Sequence, residues 1–276
     1  MIVTGYYVSI EKDVNLYVED LNPECENTIV FLHGWPGSHK LFEYQFNEFY
    51  KMNYRCIGID QRGFGKSDKP ATGYDYDRLS DDVYAVIQAL GLSDVTLLGH
   101  STGGAIAVRY MARHHACGVG RLVLCAAAAP SLICRDYFPY GQNPEAIADI
   151  INGTYEDRPK MLRTFGDQFF YQLISKPFSD WFFSLGLEAA GWATAEIAKT
   201  WLGEEELFED LKKIQVPTLI MHGVHDKVCY FALGEAQHEA ICNSVFVPFM
   251  QSGHGLFYDE RDHFNSELDC FIKNNR

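Results

Sequence analysis

The run Val95-Thr-Leu-Leu-Gly-His-Ser-Thr-Gly-Gly104 constrains this chain more than any other part of it. A short apolar stretch, Val95 to Leu98, stops at a glycine, and an Ala- and Val-rich segment with helical spacing (Ala105, Ile106, Val108, Ala112) begins at once. The pattern predicts a buried strand, an abrupt turn and a helix, with Ser101 at the apex. Gly99 and Gly103, each two positions from the serine, remove side chains that so sharp a turn could not accommodate. A purely structural tight turn would use the same glycines. The strand before and the helix after favour a serine presented as a nucleophile, with the backbone N–H of Thr102 at the helix start.

Around this unit, strands and helices alternate. Tyr6 to Ile10 and Val14 to Val18 are predicted as an antiparallel hairpin turned by Glu11-Lys-Asp13. Thr28 to Leu32 reads as a strand buried on both faces. A helix over Lys40 to Tyr50, a strand over Tyr54 to Ile59 and a helix over Arg78 to Leu90 precede the Val95 strand. After the Thr102 helix come strands at Arg121 to Ala126, Pro217 to Met221 and Ser244 to Phe249, then a closing helix from Asp259 to Lys273. This rhythm implies an α/β fold with a mostly parallel, eight-stranded sheet and helices on both faces. It is interrupted between residues 130 and 205, where helical segments dense in aromatics (Phe165, Phe169, Phe170, Trp181, Phe182, Trp201 among them) replace strands. We read 130–205 as an inserted helical cap on a core formed by 1–129 and 206–276. Most of its rings are expected to glue cap to core, and a minority to roof a pocket.

The composition narrows the function. At 276 residues and 47% hydrophobic, the chain can bury one full core, and a formal charge of −14 disfavours nucleic acid and anionic membrane surfaces as partners. No apolar run approaches the ~18 residues of a membrane span. The first residues, Met1 to Tyr7, lack a basic region followed by an apolar one, so no signal peptide is expected. Eight cysteines without a Cys-x-x-Cys pair, several inside apolar runs like Cys56 and Cys125, suggest reduced thiols and a cytoplasmic location. No His and Cys spacing matches a metal-ligand set, so no metal is expected, and the phosphate-loop and dinucleotide glycine patterns fail at Asp60 and Asp68, so no nucleotide cofactor is expected either.

In an open parallel sheet, chemistry gathers at the loops beyond the carboxyl ends of the strands. Gly63-Phe-Gly-Lys-Ser67 resembles the end of a phosphate-binding loop, but the required earlier glycine is Asp60, so a glycine-shaped turn pinned by Asp60 and Arg62 is expected instead. Ser101 needs a base, and the base an orienting acid. Of ten histidines, His254 lies between glycines in Ser252-Gly-His-Gly-Leu256, where a loop can bring its ring over the site. His100 is expected to point away from the serine, His33 to brace its loop, and His222 and His225 to be packing or surface groups. His39, His114, His115, His238 and His263 are read as solvated. The loop after Ala126 has no carboxylate, whereas His222-Gly-Val-His-Asp-Lys227 offers Asp226, which becomes the candidate acid. The loop after the first buried strand, His33-Gly-Trp-Pro36, can give the Trp35 N–H as a second oxyanion donor beside Thr102, although Trp35 could also serve as a core aromatic.

With these pieces together the chain resembles an α/β-hydrolase, and within it the bacterial cofactor-free chloroperoxidase, arylesterase and perhydrolase group. The resemblance rests on His33-Gly-Trp-Pro36, Asp60-Gln-Arg-Gly-Phe-Gly-Lys-Ser67, Gly99-His-Ser-Thr-Gly-Gly104, Ala112-Arg-His114, Asp210-Leu-Lys-Lys-Ile214 with Val216-Pro-Thr-Leu219, and Gly253-His-Gly-Leu256. It implies an α/β-hydrolase fold, a triad of Ser101, Asp226 and His254, and an oxyanion hole from the N–H groups of Trp35 and Thr102. The chain departs from the group's pattern at Val224-His-Asp226, where acid-small-acid is usual, and at Cys229-Tyr230, where Val-Pro is common. The expected activity is hydrolysis of small carboxylic esters, aryl esters among them, through an acyl-enzyme, with hydrogen peroxide as an alternative acceptor giving a peracid. A small-molecule receptor with slow turnover on the same fold is the rival reading, and self-association into a homo-oligomer is left open. A dehalogenase or epoxide hydrolase would need an aspartate where Ser101 stands.

Overall fold

The computed structural model describes residues 3–275, with side chains from Gly5 onward; Met1 and Ile2, the start of the segment read as lacking a signal peptide, lie outside the described residues. The Tyr6 and Val14 runs form a hairpin of β1 (Val3–Glu11) and β2 (Val14–Leu21), turned where Asp13 takes a positive φ of 63°. β3 (Thr28–Leu32), β4 (Arg55–Ile59), β5 (Val95–His100), β6 (Val119–Cys125), β7 (Thr218–Gly223) and β8 (Ser244–Phe249) complete an eight-stranded sheet in the order β1-β2-β4-β3-β5-β6-β7-β8. The β1–β2 and β2–β4 pairings are antiparallel and the remainder parallel. The sequence-based expectation of a mostly parallel eight-stranded α/β sheet is met.

The continuous apolar runs mark strands covered on both faces. In β3, Ile29 and Phe31 pack into one hydrophobic cluster with Phe42, Phe46, Phe264 and Leu268, while Val30 and Leu32 pack into the other with Leu79, Val83 and Ile106. The first cluster draws on α1 (Glu43–Phe49) and α10 (Arg261–Asn274), the second on α2 (Tyr76–Ala89) and α3 (Thr102–Arg113). Asp75 caps α2, its side chain accepting from the Arg78 amide at 2.8 Å.

Between β6 and β7 the chain forms no strand of the sheet. It builds α4 (Pro144–Gly166), α5 (Lys176–Glu188) and α6 (Gly191–Gly203), and then α7 (Leu207–Lys212). α4 breaks at Asp157, whose φ/ψ of −153°/74° is non-helical; Pro159 follows, and the Asp157 carboxylate caps the second half by accepting from the Lys160 amide at 3.1 Å.

Four elements differ from the sequence-based reading. The helix expected over 40–50 is a 3-10 turn (His39–Phe42) followed by α1. The closing helix begins at Arg261 after a separate short turn, α9 (Leu256–Asp259). α7 and a further helix, α8 (Phe231–Ala240), had not been expected. α8 contains Gly234, which lets the helix pass so close to β7 that a Cβ there would sit 2.9 Å from His222 Nδ1. Close approach, not a hydrophobic stripe, seats this helix, so periodicity gives it little signal. Among the described residues no helix is long and apolar enough to cross a membrane.

Candidate active site

Ser101 joins β5 to α3 with φ 54° and ψ −123°, a conformation an L-residue adopts only when its surroundings enforce it. They do: its N–H donates to Cys125 O at 3.0 Å, and its own carbonyl accepts from Gly104, Ala105 and Ala128 at 2.9, 3.2 and 2.9 Å. Gly99 and Gly103 are obligatory here, because a Cβ on the first would collide with the Gly103 carbonyl and one on the second with the Leu32 carbonyl. Thr102 is the first residue of α3, so its N–H belongs to the turn that a helix leaves without an internal acceptor. The loop after β3 presses directly on the serine, since a Cβ at Gly34 would lie 2.8 Å from Ser101 Cβ. Trp35, next along that loop, sends its indole Nε1 to the Thr194 carbonyl of α6 at 3.0 Å and packs edge-on against Phe165 and Trp201. Its side chain is thus held in an aromatic cluster with Phe165 and Trp201.

Asp226 and His254 lie on the loops after β7 and β8. Asp226 Oδ2 accepts from His254 Nδ1 at 2.8 Å, and both side chains are fully buried. The other carboxylate oxygen, Oδ1, accepts from the amides of Val228 and Cys229 at 2.8 and 2.9 Å. Burial alone would raise the Asp226 pKa, but the His254 ring and hydrogen bonding from His222 and His254 hold it well below the usual carboxylate range. The acid is therefore ionised, and it fixes His254 as the Nδ1–H tautomer. The other ring nitrogen, Nε2, is buried without a hydrogen-bond partner. The loop itself is held by the Asp259 carboxylate, which accepts from the Gly253, Tyr171 and Gln172 amides, and by the Gly255 amide donating to Phe169 O. Phe169 stands edge-on to the His254 ring at 4.9 Å.

The Ser101 hydroxyl lies toward Cys229, with Oγ and Sγ 4.0 Å apart, rather than in a hydrogen bond with His254 Nε2. Ser101 opens onto a cavity of about 470 Å³, within the range of small-molecule sites. Trp35, Ile147, Ile150, Met161, Phe165 and Trp201 give it apolar walls, and Gln142 and Gln168 add polar groups. Of the aromatics singled out between residues 130 and 205, Phe165 and Trp201 line this space, while Phe169 and Phe182 pack into the core beneath.

The other histidines sort by their partners. His33 is buried and braces its loop, accepting from the Gln61 amide at 3.0 Å. His100 points away from the serine and bonds the His254 carbonyl at 3.0 Å; burial pushes its pKa well down, so it is neutral. His225 stacks on Tyr171. His222, read from sequence as a packing or surface group, sits 3.4 Å from Asp226 Oδ2 and bonds Cys229 O at 2.7 Å, so it belongs to the setting of the acid. His39 corrects the reading of it as solvated: it is buried between Asp60 at 2.7 Å and Glu19 at 3.1 Å. His114 is likewise not fully solvated, stacking on Tyr84 at 4.4 Å. The Gly63–Ser67 turn is pinned as expected, with Asp60 accepting from the Lys66 amide and Arg62 paired with Asp82. Cys229 is the neighbour of Ser101 that sequence reasoning did not place at the site. Its only signal was the departure from the Val-Pro usual at that position.

A sheet of this order with these loops at its carboxyl edge defines a class. The chain belongs to the α/β hydrolase fold family, which it matches over residues 27–260. Within that family it falls in the chloroperoxidase-like group of hydrolases. It is 46% identical to the AB hydrolase superfamily protein YisY of Bacillus subtilis, over 97% of this chain and 98% of that one. It is 29% identical to the bifunctional esterase/perhydrolase DCH of Acinetobacter calcoaceticus, over 97% and 99% of the two chains. Among solved structures, the esterase EaEST from Exiguobacterium antarcticum superposes with a TM-score of 0.95 at 42% identity, covering 98% of this chain and 100% of that one.

Proposed function

We propose that this hydrolase is a serine carboxylesterase acting on small esters, aryl esters among them, through an acyl-enzyme. Ser101 is the nucleophile, His254 the general base and Asp226 the acid that orients it; the Trp35 and Thr102 amides form the oxyanion hole. The observation that carries this reading is the ionised, buried Asp226 bonded to His254 Nδ1, which leaves Nε2 unpartnered in a site where Ser101 is held in a strained turn at a cavity. Rotation of the serine side chain from Cys229 toward Nε2 as substrate enters completes the arrangement, since such hydrogen bonds often tighten only with substrate bound. Ser101 Oγ attacks the ester carbonyl while Nε2 takes its proton, and Asp226 stabilises the imidazolium. The oxyanion hole holds the tetrahedral oxygen, each donor contributing on the order of 10² in rate. The imidazolium then protonates the departing alcohol, and water activated by the same ring releases the acid.

In this reading residues 130–205 act as the cap over a core of 1–129 and 206–276, with α4 and α6 roofing the cavity. A panel of p-nitrophenyl esters of rising chain length, with a serine-directed phosphonate as inhibitor, tests it. Hydrolysis that the phosphonate stops, and that Ser101→Ala lacks, is expected; turnover retained by Ser101→Ala overturns the scheme.

A second outcome for the same acyl-enzyme is favoured by the similarity to the bifunctional esterase/perhydrolase of Acinetobacter calcoaceticus. Hydrogen peroxide attacks in place of water and leaves as a peracid. Peracid yield measured against hydrolysis across peroxide concentrations tests it, and hydrolysis alone at every concentration contradicts it.

A further inference from the structure

The Ser101 hydroxyl has a neighbour that the esterase reading does not use. Cys229 Sγ lies 4.0 Å from Ser101 Oγ. Its backbone is pinned on both sides, the N–H donating to Asp226 Oδ1 at 2.9 Å and the carbonyl accepting from His222 Nε2 at 2.7 Å. The backbone of Cys229 is thus tied both to the acid and to the acid's second histidine neighbour. The same Asp226 holds the His254 ring through Nδ1, and the fully buried Nε2 of that ring has no hydrogen-bond partner.

We propose that Cys229 is an oxidative modification site. A peracid formed when hydrogen peroxide cleaves the Ser101 acyl-enzyme oxidises this thiol before leaving, so the enzyme inactivates itself in step with perhydrolysis. The inference rests on the perhydrolysis reading above. In the step, the O–O bond of the peracid breaks and its terminal oxygen bonds to Sγ. The thiol proton ends on the carboxylate that departs as the carboxylic acid. Sulfur is oxidised by two electrons to a sulfenic acid and the peracid is reduced by two. A second peracid carries the sulfenic acid to the sulfinic acid, which does not revert unaided.

Proximity makes the event selective. A peracid released from Oγ starts within bonding reach of Sγ, at an effective concentration far above any in bulk. Dissolved peroxide has no such advantage, and it meets a thiol whose pKa burial pushes well up, which leaves little of the thiolate that attacks an O–O bond. Cys117, Cys242 and Cys270 are exposed and serve as internal monitors of bulk oxidant. The added oxygen, lodged beside the nucleophile, blocks both attack and the rotation of Ser101 toward His254.

The test incubates the whole chain with p-nitrophenyl acetate, hydrogen peroxide and excess free methionine, which captures released peracid and reports its amount as sulfoxide. Peptide mass spectrometry then follows each cysteine. Expected is a gain of one or two oxygen atoms at Cys229, about ten-fold or more above that in Ser101→Ala under the same conditions. The exposed cysteines should be spared, and loss of esterase activity should track the modified fraction. In Cys229→Val, inactivation per peracid formed should disappear, a ratio that does not depend on how active that variant is. Peracid formation with Cys229 unmodified, or equal modification in Ser101→Ala, overturns this proposal alone. No peracid at all overturns the perhydrolysis reading and this inference with it, while leaving ester hydrolysis standing.

Discussion

Two of the buried histidine–carboxylate couples among the described residues, His254 with Asp226 and His39 with Asp60, differ in what is left over. His254 gives one nitrogen to Asp226 and keeps the other free. His39 spends both, with Nδ1 on Asp60 and Nε2 on Glu19. The His39 pKa rises to about 9, because although burial lowers it, the hydrogen bonds and charges of Asp60 and Glu19 prevail; Glu19 in turn falls to about 2, chiefly through its hydrogen bond to His39. A saturated imidazolium between two carboxylates is a brace, locking the 3-10 turn and the Asp60 loop onto β2. An imidazole with an unspent nitrogen is what the proposed esterase scheme requires of its base. Burial and an acidic partner are common to both; the unspent nitrogen separates chemistry from architecture.

That contrast can be broken at either couple. Ser101→Ala removes the group His254 is proposed to serve, and ester turnover should fall on the order of 10⁶ in kcat with the fold retained. Asp226→Asn leaves the shape but removes the charge that sets the His254 tautomer, and a fall of about 10⁴ in kcat is expected. Steady-state kinetics on p-nitrophenyl acetate measures both. His39→Leu should do the reverse: it strands the buried Asp60 carboxylate and costs about 3 kcal/mol of stability in denaturant unfolding, while the folded fraction turns over ester near the wild-type rate. A large kinetic defect in His39→Leu, or a purely stability-based defect in Asp226→Asn, would erase the distinction.

The smallest effect is in pH. The folded His39 pKa lies above its unfolded value of about 6.5, so its contribution to stability is complete below that pH and is lost as pH rises through about 9. Glu19 has a depressed folded pKa, so its contribution is present above about 4.5 and is lost as pH falls toward about 2. The stability gap between wild type and His39→Leu should be widest from about pH 4.5 to 6.5 and narrow on both sides. A gap independent of pH would contradict the charged brace.

The asymmetry also explains what the sequence revealed. Ser101 was legible because its glycines and its strand–helix context are local. Asp226 was singled out by elimination between two loops and His254 by the glycines around it, and the structure brings the two side chains together at 2.8 Å. His39 was not, because its partners Glu19 and Asp60 lie on β2 and after β4, and no local pattern announces a pairing made by strand order. Cys229 was visible only as a departure from a familiar motif; its meeting with Ser101 depends on the turn that wraps the Asp226 carboxylate. α8 escaped because close approach at Gly234, rather than an apolar stripe, seats it.

Active-site labelling tests the central claim most directly. The chain is treated with a p-nitrophenyl phosphonate, and the labelled peptide and the labelling rate are compared between wild type and His254→Ala. A single phosphonyl group on Ser101, formed on the order of 10³ times more slowly or more so without the imidazole, is the predicted result. Labelling at another residue, or of Ser101 at an undiminished rate in His254→Ala, would contradict the account.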